Sequence, residues 1–416
     1  MKHYDLIVAG GGLTGVAAAI AGAKEGLSVL LIEKSGTLGG AITNNLVFPF
    51  MAYWTEKDGE KKFLSKGIFT EMVQRGKAYD PASTDMKFQP EFFKVVLDDM
   101  VTAYGVDVLL HSTVCGVHTE GRKLKSVDVA ALSKLVTIDA DFFIDATGDG
   151  NLFALAGCDF RLGRESDGLC QPMTVCFRMC GVDTDGFKAG RAEIEALYRQ
   201  FQAEGKIKNP RENILVFFDI GEGVVQFNTT RIIKHDPTDV FDVTRAEMLA
   251  RQQVVEMVNF LKENSPAFAH STLVSIATEI GIRESRKLKG EHVLTVEELK
   301  NLTVFDDAIA LGNYDVDIHN PEGAGTSHHR FSPGEYYTIP YRSLLPKEYD
   351  NLLVAGRCIS TTHEAQASIR IMPICATLGE AAGTAVAVAH ETKTNTHTVD
   401  VQRVRQRLRE NGAAVE

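Results

Sequence analysis

The sequence predicts an α/β fold in which a parallel sheet covered by helices is interrupted by a strand-rich α+β insertion. Three observations carry this reading. The first 35 residues run strand, glycine turn, helix, strand. The stretch from about 160 to 340 changes to short, scattered strands. Past Pro340 the strand–helix pattern returns.

Residues 5–9 form a short apolar run. After Gly10-Gly11-Gly12, residues 16–24 are Ala-rich and read as a helix, with Gly26 just past its end, where positive φ is tolerated. Residues 29–32 are apolar on both faces, as a buried parallel strand is. Residues 36–90 are less regular and hold the single tryptophan, Trp54. In 91–104, Phe92, Val95, Val96, Met100 and Val101 recur at helical steps. Short strands are predicted at 108–111, 114–118, 126–130, 135–138 and 142–144. Within the insertion, 174–179, 214–218 and 224–228 read as strands and 245–262 as a long helix. Residues 315–340, rich in Gly, Pro and Asn, read as loops. A strand at 351–355 and an Ala/Gly-rich helix at 372–390 restore the α/β pattern. The division that follows is one discontinuous domain, 1–160 with 341–416, around a second at 161–340.

A chain of 416 residues, 44% hydrophobic and 24% charged, has the composition of an ordinary globular protein of two or three domains. A net charge of −11 argues against a nucleic-acid partner. No apolar run reads as a membrane span, and no export signal precedes the first strand. Seven irregularly spaced cysteines then read as free thiols in a reducing cytoplasm.

Gly10-Gly11-Gly12-Leu13-Thr14-Gly15 fits G-x-G-x-x-G between a strand and a helix. Gly10, Gly12 and Gly15 allow the tight turn and the approach of a pyrophosphate to backbone N–H groups and the helix dipole; Leu13 and Thr14 open the helix. Glu33 ends the second strand, 18 residues past Gly15, where a carboxylate can accept ribose hydroxyls. This is a Rossmann-like signature, and by itself it leaves FAD and NAD both open.

Two later segments narrow the choice by resemblance. Phe143-Ile144-Asp145-Ala146-Thr147-Gly148-Asp149-Gly150 resembles the strand-to-loop segment of glutathione-reductase-type flavoproteins. Asn351-Leu352-Leu353-Val354-Ala355-Gly356-Arg357 resembles their second flavin-binding strand. In that fold a helix aims its N-terminus at the flavin, and Met372-Pro373 suits its first turn. Gly281-Ile282-Arg283-Glu284-Ser285-Arg286, Ile339-Pro340-Tyr341-Arg342-Ser343-Leu344, Gly356 through Glu364, and Ser368-Ile369-Arg370-Ile371-Met372-Pro373 resemble the FAD-dependent oxidoreductases. That group is related to the flavoprotein subunits of fumarate reductase, L-aspartate oxidase and heterodisulfide reductase. The resemblance implies FAD contacts at Gly10, Gly12, Leu13, Thr14, Gly15, Glu33, Lys34, Gly39, Gly40, Ala41, Val114, Ala146, Thr147, Gly148, Asp149, Gly356, Arg357, Arg370 and Ile371.

Cys170, Cys176 and Cys180 lack the ligand runs of an iron–sulfur cluster. With no C-x-x-C pair, a disulfide-reductase mechanism is excluded. No second strand-linked G-x-G-x-x-G marks an NAD(P)H domain. Neither His nor Cys occurs between Gly36 and Thr55, the stretch where related reductases tether FAD, so the cofactor is expected to be non-covalent.

Arg370, His363 and His329 are the catalytic candidates. Arg370 would support a reduced flavin or hold a substrate oxyanion, the alternative being a pyrophosphate or structural contact. His363 would exchange a proton near the flavin or serve as a structural histidine. His329, beside His328 and Arg330, would cap the site or lie on an exposed loop. No metal is expected from His319, His328 and His329, since no carboxylate or Cys stands at ligand spacing. Arg283 and Arg286, flanking Glu284, read as an ion-pair network or as substrate contacts. The arginines of 403–409 belong to an amphipathic C-terminal helix with a solvated face.

The expected activity is FAD-dependent oxidation or reduction of a small organic molecule, carboxylate-bearing or polyhydroxylated, by hydride transfer. The second electron pair would go to or come from oxygen, a quinone, another protein or a second substrate. The alternative is an electron-transfer or accessory flavoprotein of a larger reductase. A homo-oligomer fits either.

Overall fold

The computed structural model describes residues 3–416. Its first unit runs β1 (His3–Ala9), helix α1 (Leu13–Lys24), β2 (Val29–Ile32). Helices α2 (Ile68–Tyr79) and α3 (Pro90–Ala103) follow, then β3 (Asp107–Leu109), β4 (Ser112–Glu120), β5 (Lys123–Ala131) and β6 (Lys134–Asp145). The insertion contributes β7 (Phe177–Cys180), α4 (Thr184–Ala203), β8 (Val216–Phe217), β9 (Val225–Phe227), α5 (Val240–Asn264) and β10 (Thr272–Ile276). A hairpin of β11 (Val316–His319) and β12 (Thr326–His329) precedes β13 (Leu352–Val354). Helices α6 (His363–Ile369), α7 (Met372–Thr392) and α8 (Val401–Glu410) close the chain.

The main sheet has the order β3-β2-β1-β6-β5-β4, with β13 also paired to β6. Pairs among β3, β2, β1, β6 and β13 are parallel; β4, β5 and β6 form an antiparallel meander. Two strands expected at 135–138 and 142–144 are one strand, β6. Its first half pairs with β5 and its second half with β1 and β13. The charged Asp139 and Asp141 break the apolar pattern there, but cross-strand pairing on both sides carries the strand through.

Both sheet faces are buried. Along β1, Leu6 and Val8 enter the apolar cluster that holds α1, α3 and α7, while Ile7 and Ala9 enter the opposite one with Val127, Val129 and Phe143. The insertion has its own apolar cluster, in which the sheet β8-β9-β7-β10 packs on α4 and α5. Its helix α4 escapes a periodicity search because only Phe187, Ile194 and Tyr198 are buried along 20 residues.

Two further expectations change. Residues 315–340 hold strands: β11 pairs with β12 from Val316↔His329 to His319↔Thr326, and Tyr337–Pro340 pairs with Ala308–Gly312. The hairpin is mostly polar, so it carries no alternating signal, and long-range bonds hold it. And α7 is long and apolar enough to cross a bilayer by length and composition, against the expectation of no such run. It is a core helix, with 94% of its most apolar window buried inside the fold.

Candidate active site

Three glycine turns meet where β1, β6 and β13 end. Gly10 (φ +99°) lies so close to the next turn that a Cβ on it would sit 2.5 Å from the Ala146 carbonyl oxygen. Gly148 (φ +75°) abuts the Arg357 guanidinium, and a Cβ on Gly356 (φ +84°) would meet Thr14 Oγ1 at 2.8 Å. The three segments singled out in the sequence thus touch one another in a ring. Gly12 stands apart: a Cβ there would meet nothing within 4 Å, so the turn is open on one side.

Helix α1 starts at that open side. Its N-cap is Gly12, with no capping side chain and no acid in the first turn. The unpaired N–H groups and positive helix end are therefore left for an external anion. Gly39 donates to the Gly11 carbonyl at 2.8 Å, and Gly40 lies against Gly12, so Gly39, Gly40 and Ala41 form the next wall. Glu33 is buried and accepts from Gly11 N at 2.6 Å and Ser35 N at 2.8 Å, bracing the turn it follows. Lys34 faces the insertion, 2.8 Å from Glu279. Val114 is buried in β4 and belongs to the same apolar cluster as Ala9 and Ile32. Asp149 Oδ1 receives Arg357 Nη2 and Ser285 Oγ, both at 2.6 Å, and so ties two of the segments together. Asp145 is wholly buried; it accepts from Thr147 and from Phe153 N and fixes the turn from below.

Helices α1 and α7 run parallel and cross on glycines. A Cβ on Gly379 would sit 2.0 Å from Thr14 O, and one on Gly383 2.2 Å from Ala18 O. Gly379 is seven residues into α7, so at 1.5 Å per residue α7 begins about 10 Å beyond the start of α1. It too lacks a capping side chain and a first-turn acid, and its N-cap is Ile371. Two open helix ends, offset along one axis, suit a molecule with a pyrophosphate at one end and an electron-accepting ring at the other.

Arg370 ends α6 immediately before that second helix end. Its Nη2 donates to Asp317 Oδ2 at 3.2 Å, and its Nε is buried with no partner among the described residues. Asp317, on β11, is a hub: Tyr314 Oη donates to it at 3.1 Å, His319 Nε2 lies at 3.3 Å and His328 Nδ1 at 3.5 Å. His319 Nδ1 faces Arg231 Nη2 at 3.0 Å. A guanidinium can only donate, so Nδ1 accepts and Nε2 carries the proton toward Asp317. Burial first, then the charge of Arg283, pushes His319 down to about 3, so it is neutral at pH 7. Burial would raise the Asp317 carboxyl, but the His319 hydrogen bond and the Arg370 charge hold it well below the usual range.

Of the three catalytic candidates, Arg370 and His363 stand at opposite ends of α6, and His329 pairs with Val316, next to Asp317. Arg370 sits at the α6–α7 junction. His363, at the start of α6, is buried with Nδ1 2.7 Å from Glu284. His329 is exposed on β12, edge-on to Phe331. Glu284 does not pair with Arg283 or Arg286, as the sequence suggested. It pairs with Lys287 and His363, because register along the Phe160–Leu162/Arg286–Leu288 ladder turns Lys287 inward. Arg286 instead bonds Asp149 O and Asn151. A carboxylate does stand beside the histidines, since Asp317 is two residues before His319 and accepts its hydrogen bond. Among the described residues, the grouping able to chelate a metal is the surface set Asp5, Asp141 and His390, far along the chain from these. Sequence reasoning missed Asp317, Tyr314 and Arg231. The Asp-x-His of β11 was the available signal, hidden by the loop reading.

The chain matches the family described as FAD dependent oxidoreductase over residues 5–408, and it belongs to that family. FAD is its cofactor, and the open glycine turn and the two uncapped helices fit it. Over 202 residues the chain is 26% identical to digeranylgeranylglycerophospholipid reductase 1 of Methanococcoides burtonii, covering 44% of this chain and 46% of that protein. Over 87 residues it is 40% identical to the mitochondrial dihydrolipoyl dehydrogenase of Schizosaccharomyces pombe, covering 19% of this chain and 17% of that one. The chain thus spans less than half the length of these curated relatives. A solved geranylgeranyl bacteriochlorophyll reductase-like protein from Thermoplasma acidophilum shares the fold, with 15% identity and a TM-score of 0.50 over 99% of this chain and 84% of that one.

Proposed function

We propose that the protein transfers a hydride between a small organic substrate and non-covalently held FAD, with the substrate lying between the N-terminus of α7 and the insertion. Bound FAD supplies the hydride acceptor and donor at N5. The chain supplies position and charge. The open end of α7 holds negative charge with backbone N–H groups that no side chain occupies. Arg370, aimed by Asp317, offers an unpartnered Nε–H to an oxyanion. Tyr314 and His319 hold Asp317 still. His363, its Nδ1 engaged by Glu284, keeps Nε2 for proton exchange, and His329 lies on the hairpin that carries Asp317. Kinship with the flavoprotein subunits of multi-subunit reductases belongs to this reading, as does the division into 1–160 with 341–416 and 161–340. The separate apolar cluster from Met173 to Ile280 supports an insertion there, while Leu294, Leu299, Ile309, Ala310, Tyr337 and Ile339 pack into the main cluster.

The observation that carries the proposal is the pair of parallel, uncapped helix ends with Arg370 beside the second. The test is the absorption spectrum of the desalted protein before and after heat release of its chromophore, then anaerobic bleaching with candidate substrates. FAD in the supernatant and bleaching by a small molecule are expected. Rapid reduction by NADPH alone would overturn the electron source, and a colourless protein that takes up no added FAD would overturn the whole reading.

A further inference from the structure

The insertion holds more buried positive charge than it neutralises, and the surplus lies next to Arg370. Arg178 on β7, Arg211 and Arg231 are 7%, 4% and 1% exposed, and Arg283 and Arg370 are largely covered. Among the described residues, three carboxylates reach these five guanidiniums. Glu91, itself mostly in solvent, is 3.4 Å from Arg178; Glu212 is 3.2 Å from Arg231; Asp317 is 3.2 Å from Arg370. Among the described residues no carboxylate pairs with Arg211 or Arg283. Arg211 Nε donates to Asn213 Oδ1 at 3.1 Å. Arg283 donates to Pro172 O, Thr174 Oγ1 and Asn228 Oδ1, all neutral. The neighbouring His319 adds no charge at neutral pH. Two positive charges are left over.

Single nitrogens tell the same story. Arg178 Nη2, Arg211 Nη1 and Arg370 Nε are buried with no hydrogen-bond partner among the described residues. Burial, together with the charges of Arg370, Arg211 and Arg231, pushes Arg283 down to about 9, so these groups feel one another. The Cys176 thiol, at the start of β7, lies in the joint field of Arg283, Arg178 and Arg211. The cluster is wired to the flavin end of the site: Gln366 of α6 donates to the Arg283 carbonyl at 2.8 Å and accepts from Gln171 at 3.0 Å. A buried guanidinium without a counter-charge is costly in an apolar interior, so packing alone does not explain the excess. Paired with an incoming oxyanion, the same groups give strong, bidentate recognition.

We propose that Arg211 and Arg283, with the free nitrogens of Arg178 and Arg370, bind a substrate that carries two negative oxyanion charges, either as two carboxylates or as one phosphate monoester. This rests on the flavin-site reading above and specifies its substrate class. Calorimetric titration of the FAD-loaded protein, at matched ionic strength, tests it with malonate, succinate and glutarate in one arm and inorganic phosphate in the other. One arm should show saturable binding with acetate far weaker, and the arm that binds names the source of the charge. R211Q and R283Q should each weaken that binding about tenfold or more. Because each variant removes an uncompensated buried charge, its ligand-free melting temperature should equal or exceed that of the parent. Binding in neither arm, or binding that survives both substitutions, overturns the proposal. So does a marked fall in melting temperature in both variants, which would make the arginines structural struts. Flavin content, read on the same samples, separates these failures from a failure to hold FAD.

Discussion

Glu33 has two jobs at the scale of a single residue. Its carboxylate is expected to meet ribose hydroxyls, and in the folded chain it accepts the N–H groups of Gly11 and Ser35, fixing the glycine turn. Charge-assisted hydrogen bonds of this kind contribute about 1.5–3 kcal/mol each. E33A should therefore weaken FAD binding roughly ten- to a hundredfold or more, read as flavin lost on desalting. Unchanged retention would remove Glu33 from the site. The residue scale also shows where a one-dimensional reading fails. Glu284 sits between two arginines in sequence, yet its partners are Lys287 and His363, because side-chain direction depends on register and not on adjacency.

At the scale of elements, α7 both packs on α1 through its glycines and caps another helix. Glu380 lies one residue past the glycine crossing with α1, and its carboxylate accepts the N–H of Ile68, the first residue of α2. Burial pushes Glu380 up to about 7 from 4.5. A raised carboxyl favours the folded state while protonated, so its contribution is full below pH about 4.5 and is lost as pH rises through about 7. E380Q keeps the acceptor and never ionises. It should flatten the melting temperature across that window and stabilise the protein above it, by roughly 3 kcal/mol at most. A variant whose pH profile overlays the parent's would show that the carboxyl does not titrate there. The α1–α7 contact was half legible: the small residues Gly15, Ala18, Gly379 and Gly383 are plain in the sequence, but which helix each one faces is not.

The whole molecule couples these parts, since one bound cofactor would touch three segments that lie more than 100 residues apart. Ligand that binds only the folded state stabilises it by about 2.7 kcal/mol at a hundredfold excess over Kd. Stripped protein should accordingly melt a few degrees lower than protein refilled with FAD, with a midpoint that rises with FAD concentration in calorimetry. A midpoint indifferent to FAD would mean that the three turns do not share it. The sequence by itself determined the α/β class, the glycine turn between β1 and α1, and the helix beginning at Met372. Each is local: an apolar run, a turn that demands glycine, a proline allowed in a first helical turn. Only the tertiary structure decided that β6 is a single strand, that residues 316–329 form a hairpin, and that Asp317 aims Arg370. It alone brought Arg211, Arg231 and Arg370 close enough to Arg283 for their charges to act on it. Those features rest on contacts between distant segments, and the burial that strips a guanidinium of water and of partners leaves no mark on the order of residues.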